Sequence, residues 1–494
     1  MLRNAAPRAR RNAVVGGLLA ALLVAGGGTL HPFIYGALPK ALESAGVREA
    51  RSIPYNYWDA TRFIGYHPPG NDRTIHEVPL FTFVLGELHG HSLDIPASLA
   101  AAGMGASLVM SAAPAESIRP PLMEVAAGVL LGATWMTNTW NYPISLTVLA
   151  GAALASALLR HGRRKRALAE AGLAFGTLLA VSLAACLPYL LHFESFTEGV
   201  RRVAASSPLR QLAVLWGYQL FFAVCFLIFL LVLRARGRGT GALRVERADI
   251  VALGMFAAAL CLVAITETVY VKDLFSAQYP RANTVFKITY QAFVLAAAAS
   301  GYAAARIAGG LVVGAKLRAT VVLLFAMVAA MPLTYAFWAI PGYYGPLPPP
   351  GSSRGLDGLS FLSSGDREIV EWFRDNVAGQ PAILEADGDA YTRYGRISAA
   401  TGLPTPLGWF GHQWLWRGGA EEPNERRGDV RALYESADPR ATAELVGKYA
   451  VRYIVLGSLE RERFPSLKEE KLEAAGRVVL RTADGSQIIE TARP

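Results

Sequence analysis

Residues 211–247 read QLAVLWGYQLFFAVCFLIFLLVLRARGRGTGALRVER. Positions 211–233 hold no Asp, Glu, Lys or Arg, and a basic tract follows at 234–247. At about 1.5 Å of rise per residue, a helix of that length crosses a hydrocarbon core about 30 Å thick. The same pairing of apolar run and basic tract recurs along the chain. Spans are expected at roughly 13–30, 94–113, 121–137, 142–160, 168–190, 211–233, 248–268, 286–305 and 319–341. Further basic tracts are RNAAPRARR at the start, RHGRRKR at 160–166 and RIAGGLVVGAKLR at 306–318.

The composition agrees with a polytopic α-helical membrane protein. The chain has 494 residues, 53% of them hydrophobic and 17% charged, with a mean hydropathy of +0.30. Soluble domains carry about 25% charged residues. The net charge of +10 does not point to nucleic acid, because the basic residues bunch between apolar runs, as cytoplasmic loops do. With the N-terminus inside, nine crossings place all of these tracts in the cytoplasm. Four polar stretches then fall outside: 31–93, 137–143, 192–211 and 267–287. The N-terminal apolar run lacks a small-x-small cleavage site before His31 and reads as an uncleaved anchor. Cys186, Cys225 and Cys261 lie in or beside apolar runs and read as small packing residues.

These patterns divide the chain into three parts. A multispanning domain occupies 1–341 with a long first extracytoplasmic loop at 31–93, a Pro/Gly/Ser linker follows at 342–358, and 359–494 has a soluble composition. In the last part DREIVEWFRDNVAG reads as an amphipathic helix, and PAILEA and VRYIVLGS read as buried strands. Their alternation with helical patterns predicts a small extracytoplasmic α/β domain.

The polar constellations all fall on the side assigned to the exterior. Glu77, Glu87, His89 and His91 close the first loop, and Asn138, Trp140 and Asn141 occupy a turn between spans. His192, Glu194 and Glu198 follow the fifth span, while Glu267, Lys272, Asp273, Arg281, Asn283 and Lys287 line a later loop. Ionisable groups at the edge of a bilayer are costly unless paired or facing a wet cavity, so such clustering favours a functional site. Glu87, His89 and His91 alternate at a spacing that places them on one side of an extended segment, a pattern that suits a divalent ion or simply caps the next helix. Glu77 reads either as a general base in a pocket or as a solvated loop carboxylate. Arg281, Lys287 and Lys272, with Arg62 from the first loop, suit a phosphate headgroup; the alternative is pairing with Glu267 or Asp273. In the soluble part Glu385, Tyr391, Arg396, Trp409, His412, Trp414 and Arg417 crowd a stretch that either binds a substrate or docks the domain.

Five stretches carry a family resemblance: HEVPLFTFVLGELHGHSLDIP, GATWMTNTWNYPISL, CLPYLLHFES, ETVYVKDLFSAQYPRANTVFKITYQAF and EADGDAYTRYGRISAATGLPTPLGWFGHQWLWRG. Their order over residues 55–460 resembles that of the YYY-domain membrane proteins, a prokaryotic family grouped with the C-type glycosyltransferases. The resemblance implies an enzyme that takes a sugar from a polyprenyl-phosphate donor at the outer face of the cytoplasmic membrane and passes it to an acceptor. It implies Glu77 and Glu87 as the acidic residues and Arg62, Lys272, Arg281 and Lys287 as the donor-phosphate group. His89 and His91 become ligands of a divalent metal (Mg, Mn or Zn). The polar and aromatic residues of the later loops and the soluble domain become substrate contacts. Two departures stand out: Glu87 and Asn141 occupy positions where the family tends to have Asp. Family members also tend to be longer at the N-terminus, which leaves three expectations open: a truncated chain, an inactive one, or one that depends on a membrane partner to supply further spans. A non-catalytic scaffold of surface-polymer assembly is the competing expectation. A transporter fits less well, because the charged groups gather outside the spans.

Overall fold

The computed structural model describes residues 7–47, 55–112, 121–162, 164–193, 197–236, 244–273, 275–276, 278–310, 314–346, 357–416 and 419–492. The chain forms two compact units, Met1–Leu347 and Pro348–Pro494. Most of the second half of the expected linker, and Glu194 and Arg417, lie outside the described residues.

The first unit is helical. Its helices are α1 (Pro7–Gly26), α2 (Pro79–Leu85), α3 (Gly90–Met110), α4 (Leu122–Thr137), α5 (Asn141–His161) and α6 (Arg164–Leu190). They continue with α7 (Leu209–Arg236), α8 (Arg247–Thr266), α9 (Ala282–Gly310) and α10 (Ala315–Tyr344). Seven of these, α3 and α5 to α10, are long and apolar enough to cross a membrane. The two remaining expected spans fall on α1, which opens with Arg8, Arg10 and Arg11, and on α4. The 16 residues of α4 reach only about 24 Å, short of a hydrocarbon core of about 30 Å.

Small residues set the packing. The apolar stretch of α9 is 67% buried, against 22–44% for the other spans, which makes it the central helix. Its Ala/Gly/Ser face lets α1 come to backbone contact. A Cβ on Gly301 would sit 2.4 Å from Ala20 N, and one on Gly16 would sit 2.8 Å from Ala305 Cβ. At one end of the bundle, Arg306 Nε donates to Asp249 Oδ1 at 2.9 Å and Arg247 Nη1 donates to Met110 O at 2.9 Å. Arg160 faces Glu170 there as well. The opposite end carries the loop at 55–89, the turn at 138–140 and an antiparallel ribbon of β1 (Val200–Arg202) and β2 (Val269–Val271).

The second unit runs α11 (Ser364–Asn376), β3 (Ala382–Leu384), α12 (Arg396–Thr401), α13 (Phe410–Trp416), α14 (Glu421–Glu435), α15 (Pro439–Lys448) and β4 (Val451–Leu456). It ends with α16 (Ser458–Arg463), α17 (Glu469–Ala474), β5 (Gly476–Arg481) and β6 (Gln487–Thr491). The sheet order is β3-β4-β6-β5, with β3 parallel to β4 and the other pairs antiparallel. Alternation along the strands builds two cores. Ile383, Tyr453, Val455 and Ile488 pack with Ile369 and Phe373 of α11, while Leu384, Ile454, Leu456 and Ile489 pack with Val430 and Leu433 of α14.

Candidate functional site

The segment between Tyr55 and Gly90 wraps the end of the bundle and places the acidic residues. Val78 is extended and Pro79 starts α2, a seven-residue apolar helix that ends at Gly86 in the left-handed region (φ 67°). Glu77 therefore precedes α2 and Glu87 follows it. Ser92 Oγ donates to the carbonyls of Glu87 and His89 at 3.1 and 2.8 Å, which fixes the GELHGH loop against the start of α3. Gly90 is required there, because a Cβ would lie 2.6 Å from Thr137 O.

Glu77 is 8% exposed, and Arg62 Nη2 donates to its Oε1 at 2.9 Å. The Arg62 guanidinium lies 5.5 Å from the Trp58 ring and 5.8 Å from the Phe81 ring. Burial pushes the Glu77 carboxyl above its ordinary value and Glu87 adds to the rise, while Arg62 and Lys287 oppose it. Lys287, half-buried in the first turns of α9, feels both carboxylates, yet no carboxylate among the described residues lies within ion-pair distance of it. Its Nζ instead donates to His91 Nδ1 at 3.4 Å and sits 4.5 Å from the Phe286 ring centroid. His91 is 1% exposed, edge-on to Phe286 and Tyr290. With Nδ1 accepting, its Nε2–H donates to Thr82 Oγ1 at 3.4 Å, which also accepts from the Tyr290 hydroxyl. Behind this layer His76 is buried, and burial first, then Arg281 and Arg62, lower it to about 3, so its ring is neutral.

Glu77, Glu87, Lys287, His91 and Arg62 thus share one site, and other expected members do not join it. Arg281 is 1% exposed and internally spent: it donates to Asp72 Oδ2 (2.7 Å), Thr266 O (2.9 Å) and Ser207 Oγ (2.7 Å), and pairs with Glu267 (3.0 Å). It is a knot that ties the first loop to two later ones, and Glu267 is part of that knot. Lys272 pairs with Glu198 beside the ribbon. Asp273 accepts from Asn283 Nδ2, Phe275 N and Ser276 Oγ, which closes the turn into α9. Asn141 is fully buried and donates to Asp94 Oδ2, while Trp140 directly precedes α5 and Asn138 is 8% exposed in the same turn.

The two expected metal ligands, His89 and His91, lie with ring centroids 4.7 Å apart. Lys287 engages the one acceptor nitrogen of His91, and His89 Nε2 stands 4.0 Å from Glu87 Oε1. Among the described residues no group of three or more His, Cys, Asp or Glu side chains is arranged to hold a metal ion. Thr82, Tyr290, Phe286 and Asp94 were not singled out in the sequence. The first three are apolar-run residues whose role depends on the packing of α2 on α9. Asp94 carries a signal in SLDIP, an acid directly ahead of a helix-starting Ile-Pro.

In the second unit Arg396 is also internal. It is 1% exposed, donates to Asp366 and Glu460 at 2.6–3.0 Å, and lies 3.7 Å from Glu385. Tyr391, Trp409 and His412 do come together, with ring centroids 5.3–5.6 Å apart. Tyr391 is 63% exposed with φ at 64°, and Trp409 Nε1 donates to Tyr394 O at 2.7 Å. Trp414 is half-buried in α13.

A family model described as Uncharacterized membrane protein (DUF2298) matches residues 1–248 and 228–296. The chain belongs to that family. It is a multi-pass membrane protein by family and by its apolar helices. Among solved structures it is similar to the apo oligosaccharyltransferase of Archaeoglobus fulgidus, at 12% identity and a TM-score of 0.36. That similarity covers 99% of this chain and 63% of the oligosaccharyltransferase chain. No curated protein matches the sequence.

Proposed function

We propose that this family member is a glycosyltransferase-like membrane enzyme that uses a polyprenyl-phosphate-linked sugar at the outer face of the cytoplasmic membrane. The observation that carries the reading is Lys287, an ammonium held by His91 and Phe286 beside two carboxylates, with no contact ion pair among the described residues. A half-buried cation so placed at a bundle end suits a lipid phosphate. In the reaction an acceptor group attacks the anomeric carbon, the bond from that carbon to the phosphate oxygen breaks, and polyprenyl phosphate leaves. Lys287 neutralises charge that grows on the leaving phosphate, and Glu87 takes the acceptor proton. Arg62 holds Glu77, whose raised pKa suits it to carry a proton within the site. The divalent metal expected at His89 and His91 is tested by measuring turnover with and without a chelator.

The sidedness rests on the basic residues. Arg160, Arg247 and Arg306 gather at the opposite end of the bundle, the end that the positive-inside rule assigns to the cytoplasm. The second unit is then extracytoplasmic, and an impermeant thiol reagent added to intact cells should label a Glu470→Cys variant.

The direct test incubates the purified full chain with labelled polyprenyl-phosphate sugars, beside Glu87→Gln and Lys287→Gln variants. Donor turnover is expected, with a loss of about 100-fold or more in Glu87→Gln and weakened donor binding in Lys287→Gln. If neither turnover nor polyprenyl-phosphate binding is seen, the scaffold reading replaces this one.

A further inference from the structure

A second polar site lies beside the first, where α3, α4 and α5 meet, and nothing in the proposed reaction uses it. Asp94 sits at the bend of α3, fully buried, between the turn Gly90–Leu93 and the helical run Ile95–Met110. Its Oδ2 accepts from Ser98 Oγ at 2.7 Å and from Asn141 Nδ2, while its Oδ1 has no hydrogen-bond partner. The carboxylate fixes the Asn141 amide with nitrogen inward, so Asn141 Oδ1 is an acceptor, and it too is unpartnered. Thr134, in the last turns of α4, is fully buried; its hydroxyl lies close enough to act on the Asp94 carboxyl but completes no hydrogen bond. Asn141 is likewise fully buried.

We propose that Asp94, Asn141 and Thr134 form a binding site for a hard monovalent cation of the sodium class. Three considerations select that ligand. The unpartnered atoms of these three side chains are all oxygens, a carboxylate, a carboxamide and a hydroxyl, which suit hard cations and not the softer transition metals. No Lys, Arg or His side chain contacts Asp94 among the described residues, so its buried charge lacks a protein counter-charge. One carboxylate balances one positive charge, whereas a divalent ion would leave the site positive. Trp135 Nε1 and Asn138 Nδ2 are also buried and unpartnered, but as N–H donors they are no part of the ligand set. A bound ion would bolt three helix ends together next to Gly90 and the GELHGH loop.

The test is thermal unfolding of the purified full chain in nanodiscs, in sodium, potassium or choline chloride at constant ionic strength, with magnesium and calcium arms. A saturable rise of the unfolding temperature in sodium or potassium over choline is expected, lost in Asp94→Asn. Thr134→Val, which keeps the side-chain shape, should raise the half-saturating concentration about tenfold, the equivalent of one lost ligand contact. Asn141→Asp should shift the preference toward calcium. Equal unfolding temperatures in all three monovalent salts would overturn the proposal, as a bridging water or a proton on Asp94 would give. So would a response to divalent ions alone, or an undiminished sodium effect in Asp94→Asn or Thr134→Val.

Discussion

Arg62 and Arg281 look alike in the sequence, each an arginine in a loop, and the fold gives them different work. Arg62 offsets a buried acid inside the site, whereas Arg281 is consumed by Asp72, Ser207 and Glu267. Removing Arg62 leaves Glu77 buried without its cation, a situation that costs about 3–5 kcal/mol when the charge persists. Arg62→Met is therefore expected to lower stability by about 3 kcal/mol, and Arg62→Met with Glu77→Gln should recover most of it. Thermal unfolding of the single and double variants measures this; a double variant no more stable than Arg62→Met would contradict the pairing. At this scale the sequence made legible that Glu77, Glu87, His91 and Lys287 gather at one bundle end, because chemistry-bearing residues crowd a few loops there. For Arg281 the sequence offered Glu267 as an alternative partner, and Glu267 is one, at 3.0 Å, but it did not offer Asp72 or Ser207; for Arg396 the buried pairing was not legible. Whether an arginine is free depends on partners such as Asp72, 209 positions away, which only the fold brings into reach.

Helices were the most legible elements, since an apolar run long enough to span a bilayer leaves little choice of structure. What hydropathy does not show is how they touch. α4 carries Gly128 and Gly132 four residues apart, and α6 packs directly onto both. A Cβ on Gly128 would lie 2.7 Å from Val181 Cβ, and one on Gly132 would lie 2.8 Å from Ala185 Cβ and 3.0 Å from Ser182 O. This close approach compensates for the shortness of α4, which has little lipid-facing length to hold it in place. Gly132→Leu is expected to destabilise the chain by about 3 kcal/mol or more through overpacking. Gly103→Ala, where an added Cβ meets nothing within 4 Å, is the matched control and should be near neutral. A thermal unfolding series in nanodiscs separates the two, and equal effects would show that the α4–α6 contact is not tight. Gly86 tests the element that carries the acids. Its left-handed backbone (φ 67°) makes Gly86→Ala cost about 1–2 kcal/mol. The same change should depress donor turnover by more than it depresses stability, because it re-aims Glu87.

For the molecule as a whole, the two units rest on different physics. The first is ordered by a bilayer that the sequence announces in every apolar run. The second has two cores of its own on either face of a sheet, which its alternating strands foretell. Residues 357–494 are accordingly expected to fold when expressed alone. Their stability should carry a pH signature set by one arginine among three acids. Arg396 donates to Asp366 and Glu460, and Glu385 is held farther off at 3.7 Å. Burial raises Glu385 to about 7, against the pull of Arg396 and the Ile397 and Ser398 N–H groups. Between its unfolded value of 4.5 and about 7 the folded state keeps a proton that the unfolded chain releases. Stability from this group is therefore fully present below pH 4.5 and falls as pH rises toward 7, by up to about 3 kcal/mol. Urea unfolding of wild type and Glu385→Gln at pH 5 and pH 8 isolates it. Gln cannot titrate, so the wild-type advantage measured at pH 5 should shrink or vanish at pH 8. A difference between the two proteins that stays constant or grows with pH would mean that Glu385 is ionised throughout, with Arg396 shared among three charged acids.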